Sequence, residues 1–186
     1  MIVFTIGHST RTIAEFVALL RQVSVEVIVD VRSIPRSRTN PQFNADVLPE
    51  SLAAAGMAYR HLSALGGRRH RGSDASASAN TMWRNAAFRN YADYAATQAF
   101  RAGLEELEAL ARDHCCAVMC AEAVWWRCHR RIVADYLLAD GISVAHIMGQ
   151  DKIQPATSTP GVRLLHDRTL VYPAAPQDAQ AGAATN

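Results

Sequence analysis

The chain predicts a single-domain three-layer α/β/α fold around a five-stranded, mainly parallel sheet, and three observations carry the prediction. Short β-branched apolar runs alternate with amphipathic helical stretches from Ile2 to Met148, the rhythm of βα units. The runs Val25–Val31 and Ala117–Cys120 are nearly continuous in apolar residues, as strands covered on both faces require. A length of 186 residues, 49% hydrophobic and 19% charged, suits one core of this class. Right-handed crossovers leave few strand orders. The order 3-2-1-4-5 is favoured because it sets the three strand ends with polar clusters side by side, and 2-1-3-4-5 is its rival.

Taken in order, Ile2–Ile6 is the first strand, ending in the tight loop Gly7-His8-Ser9-Thr10. Thr12 caps a helix from Ile13 to Gln22, with Glu15 placed for a capping box. Val25–Val31 is the second strand. Asn44 or Asp46 opens a helix through Ala55, closed by Gly56, and Met57–Leu62 is a weak third strand. Residues 66–87 interrupt the rhythm with glycine, serine and arginine and no periodicity, so they are expected to be functional or disordered. Phe88–Asp113 reads as helix, broken near Thr97. The last strands are Ala117–Cys120 and Ser143–Met148. Residues 1–150 thus form the domain, and 151–186 a C-terminal extension with a possible hairpin (Val162–Leu165 with Leu170–Tyr172) and a disordered end.

The stretch Val118–Gly141 is the densest in chemistry. A buried strand runs directly into an amphipathic helix, and Cys120, Glu122, Cys128, His129 and Arg130 sit at the junction. Strand ends feeding helix N-termini favour anions, because free N–H groups and the helix dipole point there. On a helix starting at Cys128, the rows Cys128/Ile132/Tyr136 and His129/Val133/Leu137 face the sheet. Arg127, Arg131 and Asp135 form a solvated ion-pair row, and Arg130 lies between. Glu122 is a candidate general base or nucleophile, or a charge satisfying helix N–H groups. Cys128 is a candidate nucleophile with a depressed thiol pKa, served by His129 or His8, with inert packing as the alternative.

The other clusters follow the first two strands. His8 could move a proton while Ser9 and neighbouring N–H groups hold an anion. Asp30 could orient His8 or an arginine, since a buried charge needs a partner. Arg32, Arg36 and Arg38 are more clustered than a solvated loop needs, and arginine suits bidentate anion recognition. Of the 19 basic residues, 18 are arginine, Lys152 being the lone lysine. Tyr91, Tyr94 and Trp83 could wall a pocket, and Arg68, Arg69, His70 and Arg71 resemble a phosphate-gripping lid.

The exclusions are simple. A net charge of +2 does not by itself mark a nucleic-acid protein. Cys120 and Cys128 are spaced C-x7-C, which fits no common zinc pattern, so no metal and no cofactor are expected. The four cysteines suggest no disulfide framework, Met1–His8 does not read as a signal peptide and no apolar run as a membrane span, so a reduced cytoplasmic setting is expected.

The motifs TIGHST (Thr5–Thr10), DVRSIPRSR (Asp30–Arg38), LGG (Leu65–Gly67), FRNYADY (Phe88–Tyr94) and CAE-x5-CHR (Cys120–Arg130) resemble the bacterial family called domain of unknown function 488. They span Met1 to Met148 in that family's order. The resemblance implies a compact cytoplasmic α/β domain and assigns no activity. The residues themselves favour a hydrolase or transferase acting on a phosphorylated small molecule or nucleotide. The alternatives are a non-catalytic nucleotide or nucleic-acid binding module, using the same arginines, and a thiol-based redox protein.

Overall fold

The computed structural model describes residues 1–70 and 78–174. Arg71 of the expected lid, most of the serine-alanine segment 73–79 and the tail expected to be disordered lie outside the described residues.

The α/β class is as predicted, built on a six-stranded mixed sheet. Strands β1 (Ile2–Gly7), β2 (Val27–Asp30), β3 (Ala58–His61), β4 (Cys116–Cys120) and β5 (Ser143–Gly149) run parallel. A sixth strand, β6 (Lys152–Pro155), adds to β5 in the antiparallel sense. The order is β3-β2-β4-β1-β5-β6, so both expected orders, 3-2-1-4-5 and 2-1-3-4-5, are corrected. Those orders seat consecutive strands together wherever possible. Instead β4, all five residues of which are buried, lies between β2 and β1 and is hydrogen-bonded on both sides. A strand with no polar position is best satisfied with a neighbour on each edge and a helix on each face.

Helices α1 (Ile13–Arg21) and α2 (Leu48–Ala53) cover one face, where Phe16, Leu20 and Leu52 meet Phe4, Ile28 and Met119. Helices α3 (Ala86–Ala95), α4 (Gln98–Asp113) and α5 (Arg130–Ala139) cover the other, where Phe100, Leu104 and Ile132 meet Val3, Val29 and Val118. Each such side chain contributes about 1.5–3 kcal/mol of transfer free energy. The Thr12/Glu15 capping box forms as read from sequence, and Thr97 caps α4 at the expected break. Side chains alternate along a strand, so Cys116, Val118 and Cys120 all face the α3–α5 side.

Helix α5 begins at Arg130 with His129 as its N-cap, two residues later than expected, after a 3-10 turn at Trp125–Arg127. Ile132, Val133, Tyr136 and Leu137 are buried as predicted, and Arg127 of the solvated row is exposed, but Asp135 is corrected. Asp135 is 2% exposed and accepts hydrogen bonds from Thr159 N–H (2.8 Å) and the Tyr172 hydroxyl (3.0 Å). The C-terminal extension covers that face. It forms the hairpin β7 (Arg163–Leu164) and β8 (Leu170–Val171), buries Tyr172 beside Trp83, and ties Tyr172 N–H to buried Asn80 at 2.9 Å. No helix among the described residues is long and apolar enough to cross a membrane.

Candidate functional site

Because β2, β4 and β1 are neighbours, Asp30, Cys120 and Gly7 end side by side, and the loops after them enclose a cleft of about 740 Å³. Close backbone approach draws the loops together. A Cβ on Gly7 would lie 1.8 Å from the Glu122 carbonyl oxygen, one on Gly66 would strike Ser33, and one on Gly67 would lie 2.3 Å from His129 Nδ1. Three glycines thus let segments far apart in the chain touch.

Of the predicted residues, His8, Ser9, Arg32, Arg36, Tyr91, Cys120, Glu122, Cys128 and His129 line this cleft. Asp30, Arg38, Tyr94 and Arg130 do not. Asp30 is fully buried beneath Arg32 and accepts from Arg32 N–H, from its Nε and Nη2, and from the Tyr59 hydroxyl. Arg32 Nη2 also donates to the Phe43 carbonyl at 2.7 Å, and Nη1 faces His8 Nε2 at 3.2 Å. Four of the five guanidinium N–H groups are therefore occupied by protein, and Arg32 is a brace with one N–H to spare.

His8 belongs to the same brace. A guanidinium nitrogen can only donate, so Nε2 accepts, and Nδ1–H donates to the Ser9 carbonyl at 2.8 Å. The ring stacks on Phe43 with centroids 4.3 Å apart. Burial, and then the charge of Arg32, push its pKa down to about 4. Ser9 adopts φ 51°, a conformation that costs a non-glycine residue about 1 kcal/mol. The N–H groups of His8 and Ser9 donate to the carbonyls of Cys120 and Ala121. The expectation that these N–H groups hold an anion is corrected, although Ser9 lines the cleft.

The floor is sulfur. Cys120 and Cys128 are free thiols, 2% and 3% exposed, with their Sγ atoms 2.6 Å apart. Cys128 Sγ also receives the Arg130 backbone N–H at 3.5 Å and lies 3.6 Å from His129 Nδ1. His129 Nε2 faces the Val31 carbonyl at 3.0 Å. A carbonyl can only accept, so Nε2–H donates to Val31, and Nδ1 is the nitrogen that faces the sulfur. Burial opposes ionisation of Cys128, but the hydrogen bond from Cys120, the charge and hydrogen bond of His129, and Arg130 outweigh it and hold the thiol well below its ordinary range. Burial pushes Cys120 the other way. Cys128 is thus the more readily ionised of the two sulfurs.

Arg130 does not grip an anion at the mouth, as expected from sequence. It is 1% exposed and donates to the Glu122 carbonyl at 2.7 Å, while its Nε has no partner among the described residues. It forms no ion pair with a carboxylate among the described residues. Tyr91 is buried, donates to the Leu65 carbonyl at 2.8 Å and stands edge-on to His129. Tyr94 lies outside the cleft and supports it, with its hydroxyl on the Ala64 carbonyl and its ring beneath Arg69.

Arg127 was read as solvated, and Arg68 as part of a loop lid; both line the cleft with Arg36. None of the three makes a side-chain hydrogen bond or ion pair among the described residues. Ser33, Ser37 and Asn40 also line it and were missed. The Ser33 and Ser37 hydroxyls were visible between the arginines, but nothing local showed where they point. Among the described residues, no three His, Cys, Asp or Glu side chains are grouped to hold a metal ion.

No curated protein and no solved structure matches the chain. One family model does, over residues 12–137, a span reaching from the cap of α1 through the CHR motif into α5. On that match the chain belongs to the family described as Domain of unknown function DUF488.

Proposed function

We propose that the cleft is the active site of a cysteine-dependent hydrolase or transferase acting on a phosphorylated small molecule, most simply a nucleotide. The observation that carries this reading is Cys128 Sγ in the cleft, receiving the Arg130 N–H and close to Cys120 Sγ and His129 Nδ1, together with the guanidiniums of Arg36, Arg68 and Arg127, which have no side-chain partner among the described residues. Guanidinium groups suit phosphate oxygens, a volume of about 740 Å³ suits a ligand of nucleotide size, and Phe88 and Ile34 offer apolar contact for a base.

In this reading the Cys128 thiolate attacks the electrophilic centre of the bound substrate and forms a bond from sulfur. The leaving group departs with a proton from His129. Glu122, exposed on the rim, takes the proton of the water or acceptor that then displaces the sulfur and regenerates the thiolate. Arg32 and His8 hold the wall, and Arg130 supplies buried positive charge behind the sulfur.

A panel of nucleotides and sugar phosphates, scored for both thermal shift and product, tests this. Product formation lost in Cys128→Ser, with the thermal shift intact, is the expected result. A shift without product in the wild-type chain would identify a binding module instead. Full turnover by Cys128→Ser would remove the nucleophile from the scheme.

A further inference from the structure

The hydrolytic scheme uses one sulfur and leaves the second unexplained. Cys120 ends β4, and Cys128 closes the loop that leads into α5. Their Sγ atoms, 2.6 Å apart, need to move by only ~0.5 Å to reach the ~2.05 Å of a disulfide. Both line the cleft, so a small oxidant reaches them from solvent. Cys115 and Cys116 lie at the opposite end of β4, away from the cleft, with thiols pushed up by burial.

We propose that Cys128 and Cys120 are a paired oxidation site for hydroperoxides, Cys128 being attacked first and Cys120 resolving it into a reversible disulfide. In the first step the Cys128 sulfur takes the terminal oxygen of the peroxide. The O–O bond breaks, Cys128 becomes a sulfenic acid, and the departing alkoxide or hydroxide takes up a proton. In the second step the Cys120 sulfur attacks the sulfenic sulfur, the S–S bond forms, and water leaves with the hydroxyl and the Cys120 proton. The two sulfurs together lose two electrons, which reduce the peroxide, and a dithiol reverses the change.

The contact decides the outcome kinetically. A sulfenic acid with a thiol already beside it condenses before a second peroxide arrives, so Cys128 does not pass to the irreversible sulfinic acid. The disulfide also removes the negative sulfur opposite His129 and Arg130, closing the site to thiolate chemistry until it is reduced. The step needs only the sulfur pair and holds whatever anion the cleft takes.

The test is peptide mapping by mass spectrometry of the reduced full chain after stoichiometric hydrogen peroxide. The expected product is a Cys120–Cys128 disulfide reversed by dithiothreitol, formed at least about tenfold faster than any oxidation of Cys115 or Cys116. In Cys120→Ser, Cys128 should stop as a sulfenic acid that dimedone traps. In Cys128→Ser, Cys120 should stay a thiol. Melting temperatures near wild type show that both variants are folded, and the wild-type product alone decides if either is not. Sulfinic acid at Cys128 without the disulfide, no oxidation of the pair, or Cys120 reacting equally fast without Cys128 would each overturn the proposal.

Discussion

Two polar clusters meet at the strand ends, and they differ in how many of their hydrogen-bonding valences the protein itself fills. In the first, Asp30, Arg32, His8, Tyr59 and the Phe43 carbonyl satisfy one another, leaving one guanidinium N–H open. In the second, Arg130 is buried without a carboxylate or an Nε partner among the described residues, and its charge helps to hold the Cys128 thiol below its ordinary range. Buried charge without a partner is costly, so the first cluster depends on its ion pair, whereas the second leaves valences unfilled. The comparison teaches that a saturated ion pair is framework even when it lines a cleft. The proposed chemistry sits in the cluster whose valences are left open.

That contrast can be broken in four ways. The largest effect is expected on the sulfur side: Cys128→Ser should lower turnover by several orders of magnitude, as removal of a nucleophile does, with little change in the urea midpoint. Asp30→Ala should do the opposite. It leaves Arg32 buried and unpaired, costing ~3–5 kcal/mol in urea unfolding, and iodoacetamide should still label Cys128 rapidly in whatever fraction remains folded. Slow labelling of Cys128 in the wild-type chain at neutral pH would show that the sulfur is not a thiolate and that the contrast is false.

The third test is pH. His8 and His146 are both held neutral when folded, their pKa values lowered to about 4 chiefly by burial, with Arg32 and Arg130 respectively adding to it. The unfolded chain protonates them near pH ~6.5. The folded state therefore binds fewer protons in between, so stability is whole above ~6.5 and falls as pH drops toward 4. Each ring accounts for up to about 3 kcal/mol. His146→Asn should flatten part of that slope in urea melts, and an unchanged slope would mean that the ring titrates normally.

The smallest effects belong to the rim. Arg36→Gln, Arg68→Gln and Arg127→Gln should each weaken phosphate-ligand binding by ~1–2 kcal/mol while leaving the melting temperature unchanged. If the occupant is a nucleic-acid end, affinity should also fall steeply with salt, and each variant should reduce that slope by about one charge. A flat salt response confines the ligand to a small molecule.

Much of this was legible residue by residue. The capping box at Thr12 and Glu15, the break at Thr97, and the gathering of chemistry at Cys120–Arg130 follow from local pattern and survive in the fold. Arg127 and Asp135 show where local pattern ends. A helical row puts both on a solvated face; Arg127 is exposed as read, at the cleft, but Asp135 is sealed beneath the C-terminal extension.

By itself, then, the amino-acid order determined the elements and the chemical kinds of group at their ends, because periodicity and capping are set by residues within one or two turns of each other. Tertiary structure alone decided that β4 sits between β2 and β1, that four of the five Arg32 N–H groups are claimed by protein, and that Arg130 is buried behind the sulfur. The reason is that strand partners and hydrogen-bond valences are claimed by groups distant in the chain, such as the carbonyls of Phe43 and Val31. No local window records which of them arrives.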